Sequence, residues 1–327
     1  MLKATPPSGS GSAEGLEILR PGIFTSAQDL GRPGQRRWGI PLGGALDRFA
    51  LMASNLLVGN PVGAAGLEIA GGGLTLQVQR ALLLCLGGGD LQASLDGQAC
   101  PRWVSFRAQA GATLRFGAPR SGFRAYLAVA GGLALPSVLG SRSPAPGESG
   151  RLQAGERLAV GPAGPARPGR GLRRALWPDQ DGPALLRVLP GPGAERELWA
   201  LRDAVLTVHP DSNRMGLRLR GSPLGEAPGT LPSLPVAPGG IQQPPGGELI
   251  ALLADGQTLG GYRLLGQIIS ADQSALGQLR PGQEVLLAQS SLSEARQLAA
   301  ERRLALRQLA AELGIPPGQS GLDSALL

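Results

Sequence analysis

Residues 66–90 read GLEIAGGGLTLQVQRALLLCLGGGD. Three apolar runs, 68–70, 74–78 and 81–86, are separated by a glycine triplet and a Gln-Arg pair, and a second triplet closes the stretch. The runs have strand length and are too short for helices, and glycine is the residue that turns a chain at low steric cost. Four more runs follow, 91–95, 103–107, 113–116 and 124–129. Their recurrence at about eight to twelve residues is the pattern of a β-barrel or sandwich. Asp96-Gly97 between two of them is a hairpin turn signal. The triplets 71–73 and 87–89 invite comparison with phosphate cradles, but neither continues into Gly-Lys-Ser/Thr or opens a helix, so they read as turns or bulges.

Outward from this stretch toward the N-terminus, residues 45–58 place Leu46, Phe49, Ala50, Ala53, Leu56 and Leu57 at helical spacing, with Gly59, Asn60 and Pro61 as the stop. Ahead of it lie an apolar segment at 16–19 and a polar loop at 24–34. Residues 1–15, rich in Ser, Gly and Pro and without an apolar h-region, predict a disordered leader. Toward the C-terminus, Pro, Gly and Arg dominate 144–183, apart from a strand-like 157–160. New strand-like runs appear at 185–189, 204–208, 215–219, 249–253, 266–270 and 284–287, interrupted by a Pro/Gly loop at 221–247 whose length points to a functional or covering role. Ser291 and Glu294 form a capping box, and Ala295, Leu298, Arg302, Ala305, Leu309 and Leu313 trace one stripe of a final helix, ended by Gly314 and Pro316. That helix packs on the second barrel or on a partner, its own barrel being the simpler choice. The expected organisation is therefore a leader (1–15), a first β domain (16–160), a linker (161–183), a second β domain (184–290), and a helix with tail (291–327).

Composition narrows the function. The 327 residues exceed one ordinary core, and 42% hydrophobic content with only 3% aromatics calls for cores of Leu, Val, Ile and Ala. The formal charge of +7 is almost all arginine, since Lys3 is the single lysine. The arginines are scattered without an aromatic-interleaved basic stripe, which argues against nucleic acid as partner. No run of about 18 apolar residues predicts a membrane helix, so a cytoplasmic protein is expected. Cys85 and Cys100 lack zinc-site spacing, and His209 is the single histidine, at a strand end before Pro210; no metal centre is expected.

The densest functional chemistry lies in residues 254–262, ADGQTLGGY, between the apolar runs 249–253 and 266–269. Asp255, Gln257, Thr258 and Tyr262 offer a carboxylate, an amide, a hydroxyl and a phenol, and Gly260 and Gly261 permit close backbone approach. Residues so placed are either a hairpin loop with turn chemistry or a functional loop at a sheet margin.

Residues 22–34, GIFTSAQDLGRPG, resemble the opening signature of the 5-oxoprolinase C-subunit family, also described as biotin-dependent carboxyltransferase-like or Kip-antagonist-like proteins, and similar to part of the urea carboxylase carboxyltransferase domain. Further blocks follow in order: LDRFAL at 46–51 with Asn55 and VGN at 58–60, GLEI at 66–69, YLAVAGG at 126–132, GSRS at 140–143, SNRMG at 212–216, GGIQQPP at 239–245, the 254–262 stretch, and ISAD at 269–272. The resemblance implies a mainly-β chain of two tandem cyclophilin-like β-barrel domains with a few helices and a C-terminal helix. It also implies work beside 5-oxoprolinase subunits A and B in a complex that uses ATP to cleave 5-oxo-L-proline to L-glutamate. Carboxyl transfer from a biotin carrier to urea or another small amide is the alternative, and a non-catalytic antagonist of a partner resembling the B subunit is the third.

By their chemistry Asp255, Tyr262 and Asp29 are the expected catalytic groups. Gln28, Arg32, Arg214, Gln242, Gln243, Gln257, Thr258, Gly260 and Gly261 are the expected substrate-binding ones: a guanidinium holds a carboxylate or phosphate by its fork, and amides pair with an amide substrate. Several positions depart from the family pattern: Asn213 for an Asp, Gly256 for a larger residue, Leu259 for a Thr, Arg263 for a Pro, and Ala27 and Pro144 for a Val and a Thr.

Overall fold

The computed structural model describes residues 13–176, 182–227, 229 and 231–325. Two compact units emerge. The first comprises Met1–Gly31, Asp47–Asp179 and Arg303–Leu327; the second comprises Arg32–Leu46 and Gln180–Arg302. Residues 32–46, expected in the first domain, thus group with the second, and the end of the tail groups with the first. Residues 1–12 of the expected leader and 177–181 of the expected linker lie outside the described residues, while residues 13–15 belong to the first strand.

The strands of the first unit are β1 (Ala13–Pro21), β2 (Phe24–Gln28), β3 (Gly66–Ala70), β4 (Leu74–Val78), β5 (Leu82–Asp90), β6 (Ser94–Leu95), β7 (Gln98–Ala99), β8 (Ser105–Ala108), β9 (Thr113–Arg115), β10 (Ser121–Val129) and β11 (Arg157–Val160). They form a six-stranded sheet, β11-β1-β4-β9-β6-β7, and a five-stranded sheet, β2-β3-β10-β5-β8. Leu16, Ile18, Leu67, Ile69, Leu76, Leu84, Leu114 and Leu127 are among the core side chains they bury together. Each alternates with outward neighbours, as in β4, where Thr75 and Gln77 are less buried than Leu74, Leu76 and Val78. The two glycine triplets do different things. Gly71, Gly72 and Gly73 all have positive φ and turn the chain from β3 to β4, and a Cβ at Gly72 would lie 1.8 Å from the carbonyl oxygen of Gly117. Gly88 (φ 79) instead sits inside β5 where its register with β10 shifts, a bulge. Asp96 (φ 49) and Gly97 (φ 84) make the two-residue turn between β6 and β7.

Helix α1 (Arg48–Leu57) packs on β5 and β10, and a Cβ at Gly87 would come within 2.3 Å of Ser54 Oγ, so close approach requires glycine there. Asp47 caps it by accepting from the Ala50 N–H at 2.9 Å. Beneath this cap the Asp47 N–H donates to Tyr126 Oη (2.7 Å), whose hydroxyl donates to Glu68 (2.6 Å), and Arg124 approaches the same carboxylate at 3.6 Å. Burial and then the Glu68 charge push the Tyr126 pKa well above that of an ordinary phenol.

In the second unit β12 (Ala184–Pro190), β13 (Leu206–Val208), β14 (Gly216–Arg220), β15 (Leu234–Pro235), β16 (Gly240–Gln243), β17 (Leu249–Leu252), β18 (Leu259–Gly260), β19 (Arg263–Ile268) and β20 (Glu284–Gln289) follow in order. Seven of them close a barrel in the order β12-β19-β16-β17-β14-β13-β20, and among the described residues β15 pairs only with β18. The barrel pairs are antiparallel except β12 with β20, which is parallel. Leu186, Val188, Leu217, Leu219, Ile241, Ala251, Leu265, Val285 and Leu287 fill its core. Helices α2 (Glu195–Leu201) and α3 (Gln273–Gln278) add apolar side chains, Leu198 and Leu276 among them.

The final long helix, α4 (Leu292–Glu312), starts where expected: Ser291 Oγ accepts the Glu294 N–H at 3.2 Å. The Glu294 carboxylate accepts from Ser290 Oγ and does not close the reciprocal half of a capping box. Ala295 and Leu298 pack with Ile269, Ala271 and Leu189, so this part of the helix lies on the barrel of its own chain. Two short helices, α5 (Pro317–Ser320) and α6 (Leu322–Ala325), complete the chain. The architecture is mainly β with a few helices and a C-terminal helix, as expected. Among the described residues no helix is long and apolar enough to cross a membrane.

Candidate functional site

Strands β17 and β19 flank residues 254–262 but do not pair with each other; both pair with β16, which lies between them. The stretch is therefore a strap that leaves the end of β17 and crosses β16 to reach β19, not a hairpin loop. Ile241 points into the barrel core, so by strand alternation Gln242 points out, under the strap. Its side chain is nevertheless fully buried.

Two polar groups of contacts hold the strap. At its start, Arg214 and Asp255 extend the β14–β17 ladder: the Asp255 N–H donates to the Arg214 carbonyl at 3.2 Å, and the side chains pair across it, with Arg214 Nε and Nη2 at 2.8 and 3.2 Å from the two carboxylate oxygens. Arg214 Nη2 also donates to the Gly44 carbonyl (2.6 Å), and the Gly43 N–H donates to the Ala254 carbonyl (2.9 Å). Positive φ at Gly43 and Gly44 lets segment 32–46 present those two groups. At the centre, Gln257 Nε2 donates to Gln242 Oε1 at 3.0 Å. Strand β18 then lies over Gln242 so closely that a Cβ at Gly260 would sit 2.4 Å from Gln242 Nε2, and that nitrogen has no hydrogen-bond partner among the described residues. The β15–β18 ladder is continued by the Val236 N–H donating to the Thr258 carbonyl (3.0 Å) and the Leu231 N–H donating to the Gly261 carbonyl (2.8 Å).

Arg36, which sequence reasoning did not single out, closes the open end of this ladder. It sits in a 3-10 turn (Gln35–Trp38) between the left-handed glycines Gly34 and Gly39, and its Nη2 donates to the carbonyls of Val236 and Gln257. Its Nη1 is buried without a partner among the described residues, and burial lowers the pKa of the guanidinium. The signal available in the sequence was the basic, aromatic tetrad QRRW set between two glycines directly after the 22–34 block.

The other expected residues are placed as follows. Gln243, next to Gln242 on β16, points to the opposite face and donates to the Gly225 carbonyl at 2.9 Å, so the two amides do not converge. Tyr262 is 38% exposed at the end of the strap. Arg32 is buried, and its N–H donates to the Leu42 carbonyl at 2.7 Å. Gln28 is buried at the end of β2, donating from Nε2 to Ser26 Oγ (2.9 Å), with Oε1 unpartnered among the described residues. Asp29 anchors a loop of the first unit. Its Oδ1 accepts from Ser141 Oγ (2.6 Å), Ser143 Oγ (2.8 Å) and the Gly31 N–H (2.8 Å), and its Oδ2 from the Arg142 N–H (2.6 Å). The structure thus gathers Arg214, Asp255, Gln242, Gln257, Thr258 and Gly260 about the strap; Asp29 and Gln28 belong to the separate first unit.

The family departures find local reasons. Asn213 Oδ1 accepts the Met215 N–H (2.8 Å), a turn bond that an Asp could also make. At Gly256 a Cβ would lie 2.8 Å from the Met215 carbonyl oxygen, so a larger residue requires the turn to open. Arg263 pairs with Glu197 at 2.6 Å, and Pro144 packs where a Cβ on Gly150 would fall. Leu259 is exposed on the outer face of the strap, and Ala27 is buried in β2.

Comparison with known proteins places this geometry. The family model described as "Carboxyltransferase domain, subdomain A and B" matches residues 38–289. The chain is 38% identical to the C subunit of 5-oxoprolinase from Escherichia coli (strain K12), over 90% of this chain and 97% of that one. Among solved structures, that of TTHA0988 superposes with a TM-score of 0.78 at 35% identity, covering 88% of this chain and 58% of that chain. The urea amidolyase of K. lactis superposes with a TM-score of 0.83 at 27% identity, covering 92% of this chain and 20% of that far longer one. The chain belongs to the carboxyltransferase domain, subdomain A and B, family, and within it to the 5-oxoprolinase C-subunit proteins that it matches almost end to end.

Proposed function

We propose that this chain is the C subunit of an ATP-dependent 5-oxoprolinase and that, with subunits A and B, it cleaves 5-oxo-L-proline to L-glutamate in the cytoplasm. The observation that carries the reading is the nearly end-to-end likeness to the Escherichia coli C subunit. In the reaction a water oxygen bonds to the lactam carbonyl carbon, the ring C–N bond breaks, and the nitrogen leaves as the amino group of glutamate. Positioning the lactam and polarising its carbonyl are tasks for fixed hydrogen-bond donors. In this reading Gln242, Gln257 and the glycines of the strap position the amide, and Arg214 orients Asp255, which with Tyr262 acts on the reacting atoms.

ATP is assigned to a partner subunit. The glycine triplets of this chain do not fit a triphosphate: backbone of the chain itself fills the space beside Gly72, and Gly88 is a bulge within β5. The likeness to urea amidolyase supports a second reading, carboxyl transfer from a biotin carrier to urea or another small amide. Reconstitution with subunits A and B separates the two. Glutamate release from 5-oxo-L-proline that requires ATP is the expected outcome; no release from an assembled complex, or activity only with a biotinylated carrier and bicarbonate, overturns the first reading.

A further inference from the structure

Two buried hydrogen-bond donors that face the strap have no partner among the described residues: Gln242 Nε2 beneath Gly260, and Arg36 Nη1, whose sister nitrogen donates to the Val236 and Gln257 carbonyls. Gln257 links them, accepting from Arg36 through its backbone and donating to Gln242 through its side chain. A buried donor without an acceptor is costly, and native chains keep few of them without a use. Rotating the Gln242 amide by half a turn does not remove the deficit, because one of its two polar atoms is then still unmatched. Arg36 can only donate, and its planar fork suits a carboxylate.

The cover over the Gln242 amide is slight. It is the two-residue ladder of β15 and β18, which among the described residues joins no other strand, and Leu234 and Leu259 on it are 61% and 57% exposed. Glycine at 260 leaves the Gln242 amide facing bare backbone.

We propose that the strap and the outer face of β16 together bind a small molecule carrying a carboxylate beside an amide, with Arg36 holding the carboxylate and Gln242 the amide. The choice of 5-oxo-L-proline as that molecule rests on the oxoprolinase reading; the two-donor site does not. Arg36 is then the residue that distinguishes a lactam acid from a plain lactam.

Calorimetric titration of the full chain, alone and assembled with subunits A and B, with 5-oxo-L-proline and with pyrrolidin-2-one, which lacks the carboxylate, tests this. Arg36→Met is expected to weaken 5-oxo-L-proline about tenfold or more while leaving pyrrolidin-2-one within about twofold, and Gln242→Leu to weaken both. Arg36→Lys, which keeps the charge but not the fork, should recover part of the loss. Thermal melts confirm that each variant is folded. Equal weakening of both ligands by Arg36→Met marks Arg36 as a mere brace of the strap and overturns the proposal, as does wild-type protein that binds neither ligand in either form. The reading and the inference fail separately. Turnover in the complex with an unchanged KM in Arg36→Met sinks the inference alone, whereas carboxylate-selective binding without glutamate formation sinks the oxoprolinase reading alone.

Discussion

Asp255 shows how a side chain takes its place from its neighbours. The guanidinium of Arg214 occupies both its oxygens, and Arg214 is itself fixed by the Gly44 carbonyl, so the carboxylate is held in one orientation while its side chain stays 38% exposed. In the reconstituted complex Asp255→Ala should lower glutamate formation by about a hundredfold and Tyr262→Phe by about tenfold. Full turnover in both folded variants would remove the strap from the chemistry and direct attention to Gln28 and Asp29. The cysteines permit a prediction independent of function. Burial pushes the Cys85 thiol up to about 12 and the Cys100 thiol to about 11. Neither is a ready nucleophile, so native protein at pH 8 should react slowly with a disulfide reagent, and protein in guanidinium should titrate two thiols quickly. The same shift has a sign for stability. An unfolded cysteine ionises near about 8.5, so above that pH the unfolded chain releases protons that the folded chain retains; stability is full below it and falls as pH rises toward 12. Melting temperature should therefore drop between pH 8.5 and 11, and less steeply in Cys85→Ala.

At the scale of the element, glycines of similar backbone conformation have different consequences. Gly97 turns β6 into β7 in open space, so Gly97→Ala meets only the left-handed strain, about 1 kcal/mol. Gly72 has nearly the same φ, but its Cβ would overlap the Gly117 carbonyl, so Gly72→Ala should cost about 3 kcal/mol or more, read as a shift in denaturant midpoint. Equal losses in the two variants would show that the β3–β4 turn relaxes around the new methyl group. Periodicity made most of these elements legible: α1 and the capped start of α4 lie where spacing placed them, because apolar spacing and a Ser cap are local signals. The strap was not legible as such. Residues 254–262 carry the turn chemistry of a hairpin, and nothing local tells that β16, earlier in the chain, inserts between β17 and β19.

For the whole molecule, the chain is not divided at one linker. Residues 32–46 leave the first unit and bring Arg36, Gly43 and Gly44 to the second, and the tail counts with the first. In the first unit the tail is built in: the Val62 N–H donates to the Ser320 carbonyl (2.8 Å), Arg48 Nη2 to the Ala325 carbonyl (3.2 Å), and Leu322 is buried. Deleting residues 314–327 should lower stability by about 2 to 4 kcal/mol, comparable with emptying one buried leucine site, and the loss should be read in thermal unfolding of the full chain. An unchanged melting temperature would mean that this tail only rests on the surface.

What the sequence by itself determined is what depends on near neighbours: strand and helix periods, the Asp96-Gly97 turn, the cap at Ser291, and the ordered residue blocks that identify the family. Asp29 was legible as a polar residue in such a block, but not as what it is bonded to, since Ser141 and Ser143 lie more than a hundred positions away. Only the tertiary structure decided that Gln242 lies under the strap, that Arg36 joins it, and that Gly260 lies on the Gln242 amide nitrogen. Those outcomes depend on strand order and on which backbone crosses which face, and such contacts are made by residues whose separation along the chain leaves no periodic trace in it.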